Sequence, residues 1–139
     1  MQRYYRDKLS EFKTWEFKNS AQKGLIFPEN IGARLSIDET SLSHGELYTI
    51  VTNKEAKGKA GTIVAILEGT KSELIIPLLQ KIPLRVRNKV KEITLDLAGN
   101  MGLISKKCFP NAVQVIDRFH VQQLASEALQ EIRIKHRWE

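Results

Sequence analysis

Apolar positions recur with two different periods along the chain, and each change of period marks an element. Over residues 3–18, Tyr5, Leu9, Phe12 and Glu16 fall at helical spacing, with Trp15 and Phe17 nearby in a charged background, which predicts a ragged amphipathic helix. Asn19 to Gly32, with Gly24, Pro28 and Asn30, reads as a connector. From Ala33 the pattern shortens to strand-like runs, Arg34 to Asp38, Glu46 to Thr52 and Thr62 to Leu67, separated by turns that carry Gly45 and Lys57-Gly58-Lys59-Ala60-Gly61. Thr70-Lys71-Ser72-Glu73 has the form of a capping box. It opens a predicted helix with Leu74, Ile75, Leu78, Leu79 and Ile82 on its apolar side, which Pro77 should kink or end early. A strand over Glu92 to Asp96, a short helix over Asn100 to Lys107, a strand over Ala112 to Ile116 and a long helix from Phe119 to about Lys135 complete the pattern. That last helix carries Val121, Leu124, Ala125, Ala128, Leu129 and Ile132 on one stripe.

Short connections predict that the first three strands are antiparallel neighbours. A helix between two strands makes a right-handed crossover, so the runs ending near Asp96 and Asp117 should be parallel. The predicted order is β-β-β-α-β-α-β-α, an α/β chain with a mixed sheet. At 139 residues and 42% hydrophobic content there is room for one domain with a real core. We divide the chain into an N-terminal helix and connector, 1–32, and a main body, 33–139.

Composition adds three bounds. The excess of 22 Lys+Arg over 16 Asp+Glu, a formal charge of +6, favours polyanionic partners such as DNA. Cys108 is the sole cysteine, which excludes an internal disulfide or a cysteine-built zinc site and fits a reducing, cytoplasmic location. The sequence has neither a signal-peptide core nor an apolar run long enough to span a bilayer, so no membrane association is expected.

The chemistry is carried by three aspartates, Asp38, Asp96 and Asp117, at or just past the ends of apolar runs. If those strands are neighbours pointing the same way, the carboxylates gather at one sheet edge. Two unit charges about 4 Å apart repel by roughly 4 kcal/mol at an effective dielectric near 20, so such a cluster calls for a cation or protons. The order of elements is that of the ribonuclease-H-like fold. The segments Ser36-Ile37-Asp38-Glu39, Thr94-Leu95-Asp96-Leu97 and Val115-Ile116-Asp117-Arg118-Phe119-His120-Val121 resemble the DDE transposases of bacterial insertion sequences, in particular the ISL-three-like branch. The resemblance runs from about Arg34 to His136.

What the resemblance implies is a nuclease and strand-transfer enzyme that cuts transposon ends and joins the freed 3′-hydroxyl to target DNA. It implies two Mg²⁺ or Mn²⁺ ions held by carboxylates, with Asp38 and Asp96 as the first two catalytic and metal-binding residues. The family completes its site with a glutamate on a later helix, so we expect a truncated catalytic domain, incomplete at its C-terminus and inactive alone. A non-catalytic DNA-binding or inhibitory module derived from a transposase, assembling with other transposase subunits, is the alternative.

Asp117 can cap the following helix or join the site, and the two roles are compatible. His120 can contact phosphate, orient a carboxylate or pack against a strand; Arg118 can pair with Asp96, meet DNA phosphate or stay solvated. Lys57, Lys59, Arg85, Arg87 and Lys89 form the pool for DNA contacts, with a plain solvated surface as the competing reading. Cys108 reads as a half-buried small hydrophobe.

Overall fold

A computed structural model describes residues 24–41, 45–96 and 99–137. The predicted helix over 3–18 lies outside them. The described chain forms a six-stranded mixed sheet, in the order β1-β4-β3-β2-β5-β6, and four helices. The strands are β1 (Gly24–Ile26), β2 (Arg34–Ser41), β3 (Leu47–Asn53), β4 (Ile63–Glu68), β5 (Glu92–Leu95) and β6 (Val113–Ile116). The helices are α1 (Ser72–Leu79), α2 (Leu84–Arg87), α3 (Gly99–Cys108) and α4 (Arg118–Arg137). β1 to β4 pair antiparallel, while β2 with β5 and β5 with β6 are parallel. This arrangement bears out the α/β reading and is compatible with a ribonuclease-H-like fold.

Alternation decides which face is covered. Leu35 and Ile37 of β2 pair with Ile93 and Leu95 of β5, and Ile37 with Val51 of β3, so these buried residues share one face of the sheet. α3 packs there against β2 and β5, and α1 packs against α3. Ile75, Leu79, Ile82, Met101, Ile104 and Phe109 fill the layer between, each 1% exposed or less.

Four local features depart from the sequence reading. Three residues of the presumed connector, Gly24–Ile26, form β1 on the edge of β4. Gly24 sits at φ 138°, and a Cβ there would come 2.6 Å from Leu67 Cδ2 and 2.9 Å from Ile66 O, so the strand can approach only as glycine. The capping box does not form: Lys71 is the N-cap without a side-chain bond, and Ser72 is buried in the first turn. Leu74, from the presumed apolar side of α1, is 55% exposed, while the early end expected from Pro77 is seen at Leu79, short of Ile82. The segment holding Arg85, Arg87 and Lys89 is not plain solvated surface throughout, because the buried Arg87 and Val90 tie it to the core.

α4 matches its predicted span, yet none of its residues is buried, and Leu124 and Leu129 are 51% and 68% exposed. The stripe is a property of the sequence that the described chain leaves uncovered. Leu129→Glu is therefore expected to change stability by no more than about 0.5 kcal/mol, whereas Phe109→Ala should cost about 3–5 kcal/mol. Urea unfolding of the two variants checks the contrast.

Cys108 is more deeply buried than expected, with no exposed surface, and burial pushes its thiol up to about 11 despite the opposing charge of Arg87. At pH 8 the thiolate fraction is about 100-fold lower than for an ordinary thiol at 9.0, so alkylation of the folded protein should lag the urea-unfolded chain by about that factor. Well below pH 9 the thiol is neutral in both the folded and the unfolded state. As pH rises from 9.0 towards 11 only the unfolded state loses the proton, so the folded state loses ground.

Candidate metal centre at one rim of the sheet

Register places the three aspartates. Ile37 pairs with Leu95 and Leu95 with Ile116, so Asp38, Asp96 and Asp117 are the next residue in each of three parallel strands. The Asp117 N–H donates to the Leu95 carbonyl at 3.0 Å, which carries the β5–β6 ladder to that position. Parallel neighbours stand about 4.8 Å apart. Two residues upstream, Ser36, Thr94 and Val115 pair across the same strands, so the aspartates belong to the face opposite Leu35 and Ile93.

The three carboxylates differ in their surroundings. Asp38 is exposed, and its Oδ1 accepts the Glu39 N–H at 2.9 Å. Asp96 is part-buried, with its Oδ1 3.4 Å from His120 Nδ1. Asp117 is the N-cap of α4, its Oδ1 accepting the Phe119 N–H at 2.9 Å and its carbonyl the Val121 N–H at 3.3 Å. Capping is thus an observed role of Asp117. Arg118 follows it at the same rim, exposed.

The donor chemistry fits a hard divalent cation: carboxylate oxygens on adjacent strands, with no thiolate nearby that would select a soft metal. Among the described residues no group of three or more His, Cys, Asp or Glu side chains converges as a metal cage. Asp38 and Asp96 offer carboxylate oxygens from adjacent strands, a donor set of the type that such a cation accepts.

A family model described as a transposase, that of the ISL-three-type DDE group, matches residues 35–139. The chain belongs to the ISL-three-type DDE transposase family. A comparison with curated proteins returned no match. Membership makes DNA transposition the general role of this transposase chain and DNA its expected partner. The match begins one residue after β2 does and contains Asp38, Asp96, Asp117, Arg118 and His120.

The basic residues named as a pool for DNA contacts do not gather at the carboxylate rim. Lys57 and Lys59 are exposed in the turn after β3, and that turn adjoins the Leu35 end of β2 because Asn53 pairs with Leu35. Lys89 is exposed just before β5, towards the same end. These lysines thus lie towards the rim opposite the carboxylates. Arg85 is exposed on α2, but Arg87 must leave the DNA-contact pool. It is 8% exposed, and its guanidinium donates to the Ile82 carbonyl at 2.9 Å and the Cys108 carbonyl at 2.6 Å.

Two site contacts could not be assigned partners from the sequence. Lys54 Nζ donates to Thr94 Oγ1 at 2.8 Å, on the face and strand that lead to Asp96. The Asp96–His120 contact joins residues whose proximity only the β5–β6 pairing creates. No helix among the described residues is long and apolar enough to cross a membrane.

Proposed function

We propose that this transposase chain carries the front part of a metal-dependent centre for cleaving transposon ends and for strand transfer, with Asp38 and Asp96 holding Mg²⁺ or Mn²⁺. The observation that carries the reading is their adjacency, one register step beyond the Ile37–Leu95 pair and on one face of the sheet, in a chain of this family. Bound divalent ions at such a site supply Lewis-acid stabilisation of a phosphoryl oxygen and activation of the attacking hydroxyl or water. The residues of the chain fix where that chemistry occurs. Asp38 is held on a central strand flanked on both sides, and Asp96 at the end of a strand whose Ile93, Thr94 and Leu95 are all buried, so neither backbone position shifts without disturbing the core. Arg118 and the cap at Asp117 lie on the same rim, where DNA phosphate would arrive.

Two carboxylates without a third ligand among the described residues should support weak catalysis at most. The test is nicking of supercoiled DNA by the 139-residue chain in Mg²⁺ and in Mn²⁺. The expected result is trace Mn²⁺-dependent nicking that Asp38→Ala or Asp96→Ala removes. Nicking that persists in both variants contradicts the site.

The net charge of +6 and the two-carboxylate count favour a second reading, a DNA-binding or inhibitory module that assembles with other transposase subunits. It predicts DNA binding that weakens steeply between 50 and 200 mM salt, as is typical when several phosphates are neutralised, without cleavage under any metal.

A further inference from the structure

We propose that His120 is a positioning residue, which holds the Asp96 carboxylate in one orientation at the sheet rim. The proposal rests on the metal-binding reading of Asp96 and adds a supporting side chain to it.

The placement is built in three steps. The β5–β6 ladder brings Asp117 beside Asp96, through the Asp117 N–H to Leu95 carbonyl bond of 3.0 Å. Asp117 then starts α4 as its N-cap, with the Phe119 N–H on its Oδ1 at 2.9 Å, which fixes where the first turn begins and which way it faces. His120 is the third residue of that turn, and its Nδ1 lies 3.4 Å from Asp96 Oδ1. The Phe119 ring meets the imidazole edge-on at a centroid distance of 6.0 Å and an interplanar angle of 81°, which limits the swing of the ring.

The two side chains are 28% and 35% exposed, so the contact is partly shielded from water and more than a passing surface encounter. The direction of the Asp96 carboxylate, just past the end of β5, is set by two side-chain torsions. A cation shared with Asp38 requires one particular setting of them. An imidazole anchored to the adjacent strand through Asp117 supplies that setting before the ion arrives, in the way that outer-shell hydrogen bonds generally orient ligating carboxylates. One short stretch, Asp117 to His120, thus caps a helix and aims a carboxylate on the neighbouring strand.

The test measures Mn²⁺ affinity of the chain by electron paramagnetic resonance, for the unmodified protein, His120→Ala and His120→Asn. The asparagine amide reaches about where Nδ1 stands. His120→Ala should weaken Mn²⁺ binding about 10- to 100-fold, the usual range for outer-shell partners, and His120→Asn should restore most of it, with helix content by circular dichroism unchanged in both. Equal Mn²⁺ affinity in the unmodified protein and His120→Ala overturns the positioning role while leaving the metal site in place. Should the unmodified chain bind no Mn²⁺, the metal reading fails, and the ¹³Cγ resonance of Asp96 decides the positioning role by itself. A shift of that resonance in His120→Ala, reversed in His120→Asn, supports it; an unmoved resonance overturns it.

Discussion

Replacing Arg87 with alanine is expected to lower the unfolding free energy by about 3–5 kcal/mol, although the residue stands in a run of charges that reads as surface. Its guanidinium donates to the carbonyls of Ile82 and Cys108, which end the segment after α1 and the helix α3, and only 8% of the residue is exposed. Hydrogen bonds from a charged donor contribute about 1.5–3 kcal/mol each, and their removal leaves two carbonyls that must find other partners. Arg87→Lys should recover part of the loss, since one ammonium cannot span both acceptors with the geometry of a fork. Arg85→Ala, two residues away and exposed, should fall within about 0.5 kcal/mol of the unmodified protein. Urea unfolding of the three variants measures this, and a loss below about 1 kcal/mol for Arg87→Ala would contradict the structural role.

Asp96→Asn should abolish the thermal stabilisation that Mg²⁺ or Mn²⁺ gives the chain. For a proposed site that binds only the folded state, a cation at 100 times its dissociation constant adds about 2.7 kcal/mol, or roughly 8 °C in Tm for a domain of this size. Asp38→Asn should act alike, because both carboxylates are needed to offset the dehydration of a hard ion. Without metal the two variants should be as stable as the unmodified protein or slightly more so, since a pair of neighbouring negative charges has been relieved. Calorimetry with and without metal separates these effects. A metal-induced shift that survives Asp96→Asn would remove that residue from the proposed centre.

Strand alternation and crossover handedness made the central architecture legible. The parallel pairing of β5 with β6 follows from a helical connection, whereas the place of β2 beside β5, which gathers Asp38 with Asp96 and Asp117 at one rim, was legible only through the resemblance to the ribonuclease-H-like order. β1 was illegible because three residues cannot show a period, and its place depends on Leu67 and Ile66 of a strand about forty residues on. Arg87 was misread because α2 is a single turn, too short for a helical stripe, and its acceptors lie elsewhere in the chain. The apolar stripe of α4 was visible, but periodicity specifies a helix and not what covers it. His120 could be named from sequence. Its contact with Asp96 could not, since that distance depends on where the Asp117 cap starts the helix.

The most direct test of the account is Mn²⁺ anomalous diffraction from crystals of the chain. A peak about 2.1–2.2 Å from a carboxylate oxygen of Asp38 and from one of Asp96 is the result predicted here. A Mn²⁺ ion bound away from this pair, or held by one of the two while the other points elsewhere, would contradict it.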